Sequence, residues 1–300
     1  MTDTRSLGFI GIGVMGGPMT RNLLKAGYPV FVFDTDHHKM AHLVQEGAKG
    51  TSSPAEVGRQ AEIVLLSLPS TQAVKEVILG KGGLVEGIRT GGTIVDMGTT
   101  DPSVTKEIAK ILREKGIGFL DAPVSGGEAA AKEKTLAIMV GGDADALENA
   151  LPVLKSLGRS IVHMGPSGAG QAAKLINNMI VNATFTAVAE GFALGAKAGL
   201  DPAELYEAIK GGWAGSKVLD VAAPAVLSRN FQPGGTVDIV CKDLSYALAL
   251  GRDLNVPLPM AALVHEIFRM AKAMGKGPLA QPVLITLWEN WTGITVGGQE

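Results

Sequence analysis

The run LGFIGIGVMGGPM, residues 7–19, constrains this chain more than any other stretch. A short apolar strand pattern breaks at Gly11-Ile12-Gly13-Val14-Met15-Gly16, and helical spacing begins directly after it. Each of the three glycines permits something a side chain would forbid. The first makes a tight turn, the second lets another molecule approach the backbone, and the third lets the following helix pack against the strand. The helix N-terminus offers N–H groups and a positive dipole end, which suit a pyrophosphate. The expected ligand is a dinucleotide, held by Gly11, Gly13, Val14, Met15 and Gly16.

A loop of this kind joins a strand to a crossover helix, and the first half of the chain repeats that unit. Apolar runs stand at 28–34, 61–69, 91–97, 116–124 and 136–142, and a last one at about 159–163. Between most of them lie stretches with helical periodicity: MTRNLLKAG, KMAHLVQEG, STQAVKEVILG and DPSVTKEIAKILREKG. Strands alternating with helices imply right-handed crossovers and a mostly parallel sheet, covered on both faces. After His163 a GPSGAG joint intervenes and strand signals nearly vanish. Helices are expected at about 168–198, 202–211, 216–228, 237–254, 259–274 and 280–291, with Asp201-Pro202 as a good helix start. A length of 300 residues exceeds what one core usually organises. The expected fold is α/β: a Rossmann-type, doubly wound, mostly parallel sheet over 1–163. An all-helical domain over 164–300 follows, with a long connecting helix from about 168.

Composition removes several classes of function. A formal net charge of −2 gives no basic footprint, so nucleic acid is not the expected partner. The single cysteine, Cys241, excludes an internal disulfide and a multi-cysteine zinc site, which fits a reducing cytoplasmic setting. The start, MTDTRSLGFIGIG, lacks the basic and apolar regions of a signal peptide. The most apolar run, 175–194, is interrupted by Asn177, Asn178, Asn182 and Glu190 and reads as a core helix rather than a membrane span. His37, His38 and His42 suit a solvent-facing helix rather than a metal site, and His163 a structural role. Glu190 is expected to be a buried partner within its helix.

Asp34 ends the second apolar run, 18 residues after Gly16. A carboxylate there accepts hydrogen bonds from the adenosine ribose, and with Asp36 it opposes a 2′-phosphate. NAD is therefore expected over NADP. The alternative is that Asp34 and Asp36 only cap the next helix. Ligands of an open parallel sheet lie beyond the carboxyl ends of its strands. Those ends read Leu68-Pro69-Ser70, Gly98-Thr99-Thr100 and Ala122-Pro123-Val124-Ser125-Gly126-Gly127. In the last, a hydroxyl beside glycine N–H groups suits a carboxylate.

A lysine and two asparagines interrupt the apolar run QAAKLINNMIVNATFTAVAEG (171–191). On a helix Lys174, Asn177 and Asn178 share one face, and Gln171 extends it. A lysine beside a cleft can move a proton to or from a substrate oxygen while a nicotinamide exchanges hydride. The alternatives are an ion pair with a carboxylate such as Glu190, or a stem reaching to solvent.

GFIGIGVMGGPM, DAPVSGG, GAGQAAKLINN and the later Lys242-Asp243-Leu244 together resemble the β-hydroxyacid dehydrogenase family over nearly the whole chain. The resemblance implies that Lys174 transfers the proton, with Asn178 beside it. It implies that Ser125, Gly126 and Gly127 bind substrate, and that Leu68, Pro69, Thr99 and Lys242 border the cofactor. It also implies an NAD-dependent oxidoreductase acting on a small hydroxy acid and its semialdehyde or keto form, and a homodimer or homotetramer. The GGWAGSKVLD and RNFQPG stretches look most like the tartronate semialdehyde (2-hydroxy-3-oxopropionate) reductases, with 3-hydroxyisobutyrate dehydrogenase the alternative. Gly235-Thr236, Val240 and Trp213 depart from the reductases, and they stand near the expected substrate pocket. The alternative from another class is a non-catalytic dinucleotide-binding scaffold that keeps the fold without turnover.

Overall fold

The computed structural model describes residues 5–232 and 234–298. Pro233, in the RNFQPG stretch, and the first four residues of the chain lie outside them. The chain divides into two compact units, Met1–Lys174 and Leu175–Glu300. The change of composition after His163 precedes that division by 11 residues.

The first unit is built on a nine-stranded, mostly parallel sheet. In chain order its strands are β1 Leu7–Ile10, β2 Val30–Phe33, β3 Lys49–Gly50, β4 Ile63–Leu66, β5 Thr93–Asp96, β6 Gly118–Asp121, β7 Val124–Ser125, β8 Leu136–Gly142 and β9 Gly158–Gly165. They lie in the order β3-β2-β1-β4-β5-β6-β8-β7, with β9 paired to β8. The reversal of direction at β1 is the switch point of a doubly wound sheet. Strands β1, β4 and β5 are buried at every position. Each therefore feeds two cores: Leu7 and Phe9 join one cluster, and Ile10 joins another with Val64, Ile78 and Ile108. That is the covered parallel sheet the near-continuous apolar runs demand. Only β6 and β7 pair with β8 in the antiparallel sense.

Register fixes where the strands end. Ile10 is level with Phe33 and Leu66, Leu66 with Asp96, and Asp96 with Asp121. The residues that follow, Gly11, Asp34, Ser67, Met97 and Ala122, thus leave the sheet along one line. The helices around it are α1 Gly16–Lys25, α2 His37–Gln45, α3 Pro54–Gln60, α4 Thr71–Leu79, α5 Pro102–Glu114, α6 Gly127–Glu133 and α7 Ala144–Lys155.

Helix α8, Ala169–Lys197, starts in the first unit and continues into the second. By length and composition it is the one helix among the described residues apolar enough to cross a membrane. Gln171, Asn182 and Thr186 are buried along it with hydrogen bonds inside the protein, as in a core helix. The second unit continues with α9 Pro202–Lys210, α10 Lys217–Leu227, α11 Val237–Asp253, α12 Pro259–Ala271 and α13 Ile285–Thr292. Asp201, Ser216 and Thr236 cap three of these helices with their own side chains. Phe192, Leu244, Phe268 and Ile285 are buried in its two apolar clusters.

Candidate active site

The glycine loop has the geometry its spacing requires. Gly11 sits at φ +83, in the left-handed region, and a Cβ on Gly16 would collide with the Gly11 carbonyl oxygen. At Gly13 a Cβ would meet nothing within 4 Å, so the loop leaves open space on its outer side. Helix α1 begins without a side-chain cap and without an acidic residue in its first turn. Its positive end is thus not satisfied by a local carboxylate, and the loop fits a pyrophosphate. Val14 is exposed and Met15 half-buried at the rim.

Asp34 and Asp36 separate cleanly. Asp36 caps α2, accepting from the His38 and Lys39 N–H groups, and pairs with Lys39 at 3.1 Å. That hydrogen-bonded ammonium, with the backbone donors, holds its carboxyl below the usual value. Asp34 instead braces the glycine loop: Oδ2 accepts from Ile12 N–H at 2.8 Å and Oδ1 from Asp36 N–H at 2.9 Å. Each of its oxygens has a second lone pair, so the brace leaves acceptor capacity for ribose hydroxyls.

Leu68, Pro69 and Thr99 follow β4 and β5 at the same edge of the sheet. Leu68 and Thr99 are half-buried and Pro69 is exposed. Ser125 closes β7, and Gly126 and Gly127 carry φ +129 and +70 into the start of α6. Both turns need glycine, and a Cβ on Gly127 would meet open space. The acidic residue of that first turn, Glu128, is held by Lys132 at 2.6 Å.

The first turn of α8 is tied to the same row of strand ends. Asp121 accepts from the N–H groups of Gly168 and Gln171, and the Gln171 side chain bonds Thr100 N–H and the Gly98 carbonyl. Lys174 lies one turn further along. Sequence reasoning passed over Asp96 and Asp121, both fully buried. A carboxylate closing an apolar strand, as in TIVD and GFLD, was the signal available.

Further along α8, Asn178 Nδ2 donates to Asp243 Oδ2 at 2.6 Å, and its Oδ1 accepts from Asn177 at 3.0 Å. Asn182 donates to the Asn178 carbonyl and is approached by the Gln281 amide. Lys242 stands 3.2 Å from Asp243 Oδ1, an ion pair without the directionality of a hydrogen bond, and lies over the Tyr246 ring. The Asn177–Asn178 pair is thus part of a polar chain through a buried carboxylate that the sequence reading did not single out.

One other expectation changes. Glu190 is exposed rather than a buried partner. Trp213 is fully exposed and borders an apolar groove of about 1060 Å³ within the second unit, with Met179, Ile180, Met260 and Leu263. Gly235 and Thr236 do local structural work. A Cβ on Gly235 would stand 2.7 Å from Gln281 Nε2, and Thr236 caps α11. Cys241 is buried, and desolvation pushes its thiol up, away from reactivity. His163 Nε2 bonds the Gly142 carbonyl oxygen. Among the described residues no group of three potential ligands gathers for a metal.

Comparison with known proteins agrees with this architecture. Residues 6–165 match the NAD binding domain of 6-phosphogluconate dehydrogenase, and residues 168–288 match the NAD-binding family of NADP-dependent 3-hydroxyisobutyrate dehydrogenase. The chain is 39% identical over 299 residues to 2-(hydroxymethyl)glutarate dehydrogenase of Eubacterium barkeri, covering 99% of each protein. It is 38% identical to 2-hydroxy-3-oxopropionate reductase of Escherichia coli K12, covering 94% of this chain and 97% of that one. Among solved structures, Mycobacterium tuberculosis 3-hydroxyisobutyrate dehydrogenase with L-serine superposes with a TM-score of 0.87. It is 29% identical, over 95% of this chain and 99% of that one. Two family models in register with the two halves, and relatives matched end to end, make this chain a nicotinamide dinucleotide-dependent hydroxy-acid dehydrogenase of the β-hydroxyacid dehydrogenase family.

Proposed function

We propose that this enzyme uses NAD to interconvert a small hydroxy acid and its semialdehyde, with Lys174 moving the hydroxyl proton. The observation that carries the reading is the common edge of the first unit. The glycine loop and Thr99 follow strand ends on one line, Ser125-Gly126-Gly127 continue four residues past Asp121 on the same side of the sheet, and the turn before Lys174 is hydrogen-bonded to that line.

A nicotinamide dinucleotide held there supplies the hydride exchange. Gly11, Gly13, Val14, Met15 and Gly16 hold its pyrophosphate, and Leu68, Pro69, Thr99 and Lys242 contact it. Asp34 accepts from the ribose hydroxyls. With Asp36 it places two carboxylates where a 2′-phosphate would need cations, so NAD is favoured over NADP. The Ser125 hydroxyl and the N–H groups of Gly126 and Gly127 hold the substrate carboxylate. In oxidation the Lys174 amine accepts the hydroxyl proton; in reduction its ammonium donates to the carbonyl oxygen. Asn178 contributes an amide to the substrate.

The motif resemblance points first to tartronate semialdehyde and glycerate, then to 3-hydroxyisobutyrate. 2-(Hydroxymethyl)glutarate and 3-hydroxyisobutyrate, named for two of the relatives, both carry a hydroxymethyl group on the carbon beside a carboxylate. That shared unit is the proposed substrate class. We place the enzyme in the cytoplasm as a homodimer or homotetramer. Its apolar groove and the exposed Ile180, Leu194 and Trp213 support association with a second copy.

The test is turnover of NAD, followed by nicotinamide absorbance. The panel is glycerate, 3-hydroxyisobutyrate, 2-(hydroxymethyl)glutarate, 3-hydroxypropionate, threonate, serine and 4-hydroxybutyrate. Lys174→Ala should lose about 10²- to 10⁴-fold in kcat with NAD binding retained. Wild-type turnover by Lys174→Ala would overturn the assigned role of the lysine. Binding of NAD with no turnover of any panel member would overturn the substrate class and favour a scaffold.

A further inference from the structure

Helix α8 starts without a capping side chain of its own. It follows Gly168, which has φ +91, so the position that normally supplies a cap has no side-chain oxygen to offer. Buried N–H groups at a helix start need acceptors nonetheless. They receive them from another element. Asp121, at the end of β6, accepts from Gly168 N–H through Oδ1 at 2.8 Å and from Gln171 N–H through Oδ2 at 2.9 Å. The carboxylate is fully buried and faces the positive end of the helix, where a negative charge is favourable.

A second tie comes from the helix to the sheet. Gln171 Oε1 accepts from Thr100 N–H at 2.9 Å, and its Nε2 donates to the Gly98 carbonyl at 2.9 Å. The Thr100 hydroxyl in turn donates to Asp96 Oδ2 at 2.6 Å. The turn is thereby fastened to the ends of two adjacent strands, whose last residues, Asp96 and Asp121, are level with each other. Contact is close enough to need glycine on both sides. A Cβ on Gly141 would stand 2.6 and 2.7 Å from the Asp121 oxygens, and one on Gly170 would run into the backbone of β6 and β8.

Lys174 follows Gln171 by three residues, about 4.5 Å along the axis. Its amine rides on a flexible four-carbon stem, so the one coordinate the backbone can fix is where that stem begins. Proton transfer needs the amine within hydrogen-bond reach of the substrate oxygen, and a misplacement of about 1 Å costs about 10²-fold in rate.

We infer that Asp121 and Gln171 are positioning residues: they lock the first turn of α8 to the strand ends and so set where the Lys174 amine stands. The inference rests on Lys174 being the proton-transferring group. It goes beyond stability, because the same bonds could hold the helix without any consequence for the lysine.

The test uses full-length Gln171→Met, which keeps the side chain's bulk and removes its donor and acceptor. Gln171→Asn, an amide one methylene too short for the span, serves if the first variant does not fold. Two quantities are read. One is kcat per folded enzyme on whichever panel compound the wild type oxidises, beside the dissociation constant for NAD. The other needs no substrate: the resonance of Lys174 after reductive methylation with ¹³C-formaldehyde, identified by its loss in Lys174→Ala. The expected result is a 10- to 100-fold fall in kcat, on the order of the cost of a 1 Å displacement. NAD binding should be near wild type, and the Lys174 resonance displaced. Wild-type kcat, or an unmoved resonance, overturns the inference. The two readings fail in different ways. Lys174→Ala with full turnover removes the parent reading and this one together. An inactive Lys174→Ala beside a fully active Gln171→Met removes only the positioning role.

Discussion

The two units of this protein spend their apolar residues differently. In the first, central strands buried at every position and helices on both faces leave four large apolar side chains exposed among the described residues: Val14, Val44 and, on the strand β9, Val162 and Met164. The second, though shorter, exposes fourteen, among them Ile180, Leu194, Trp213, Met260 and Leu263. A sheet covered on both faces closes its own core. A set of helices around one long member leaves faces that nothing in the same chain covers, and such faces mark association surfaces. The first unit reads as self-sufficient, the second as built to be covered.

Deleting a core side chain should separate the two kinds of surface most sharply. Phe9 is fully buried on β1 within the larger cluster of the first unit. Phe9→Ala should cost about 3–5 kcal/mol in the transition of that unit, measured by urea denaturation with and without NAD. Trp213→Ala, at a fully exposed ring, should cost under about 0.5 kcal/mol in dilute protein. Equal costs would break the contrast.

The next effect concerns assembly rather than folding. On α8 the exposed Ile180, Ala187 and Leu194 recur every seven residues along one face, a stripe suited to another helix. Leu194→Lys places a charge on that stripe. The expected outcome is a smaller sedimentation coefficient at equal concentration, with the thermal midpoint of the first unit unchanged. A wild-type coefficient would show that the stripe is not where copies meet.

Much of this contrast was legible in the sequence, and the omissions have physical causes. The central strands and the long helices announce themselves because burial on both faces, or on a continuous stripe, leaves a periodic record. Helices α3 and α6 are seven residues each, too short for helical periodicity to register. Helix α7 hides behind Pro152, inside a span that would otherwise read as helix. The glycine loop was legible because three glycines at fixed spacing admit few alternatives. Asp121 was not, because a cap supplied from a strand 50 residues before Gln171 leaves no local pattern. For Trp213, the resemblance of the GGWAGS stretch placed a bulky ring near the expected substrate pocket. Its place on an exposed groove depends on packing that no spacing encodes.

The smallest effect sets two capping carboxylates against each other. Asp201 caps α9 from the adjacent position and in the open, accepting from Ala203 and Glu204 N–H at 2.9 Å. Asp121 caps α8 from a distant strand and fully buried. Burial raises its carboxyl above the ordinary value, with the N–H groups of Gly168, Gln171, Gly170 and its own backbone opposing the rise. An acid whose pKa is higher folded than unfolded binds more protons in the folded state between the two values. Stability therefore falls as pH rises through that window, and is regained on acidification. Asp121→Asn removes the titration along with part of the cap. The stability gap between wild type and Asp121→Asn should accordingly be widest below the ordinary aspartate pKa of about 3.9 and narrower at neutral pH. Asp201→Ala should cost about 1 kcal/mol as an ordinary exposed cap. Urea midpoints of the wild type and Asp121→Asn across the acid range check the sign. A gap that widens toward neutrality would mean that the four backbone donors outweigh desolvation, and that the buried cap behaves like the exposed one.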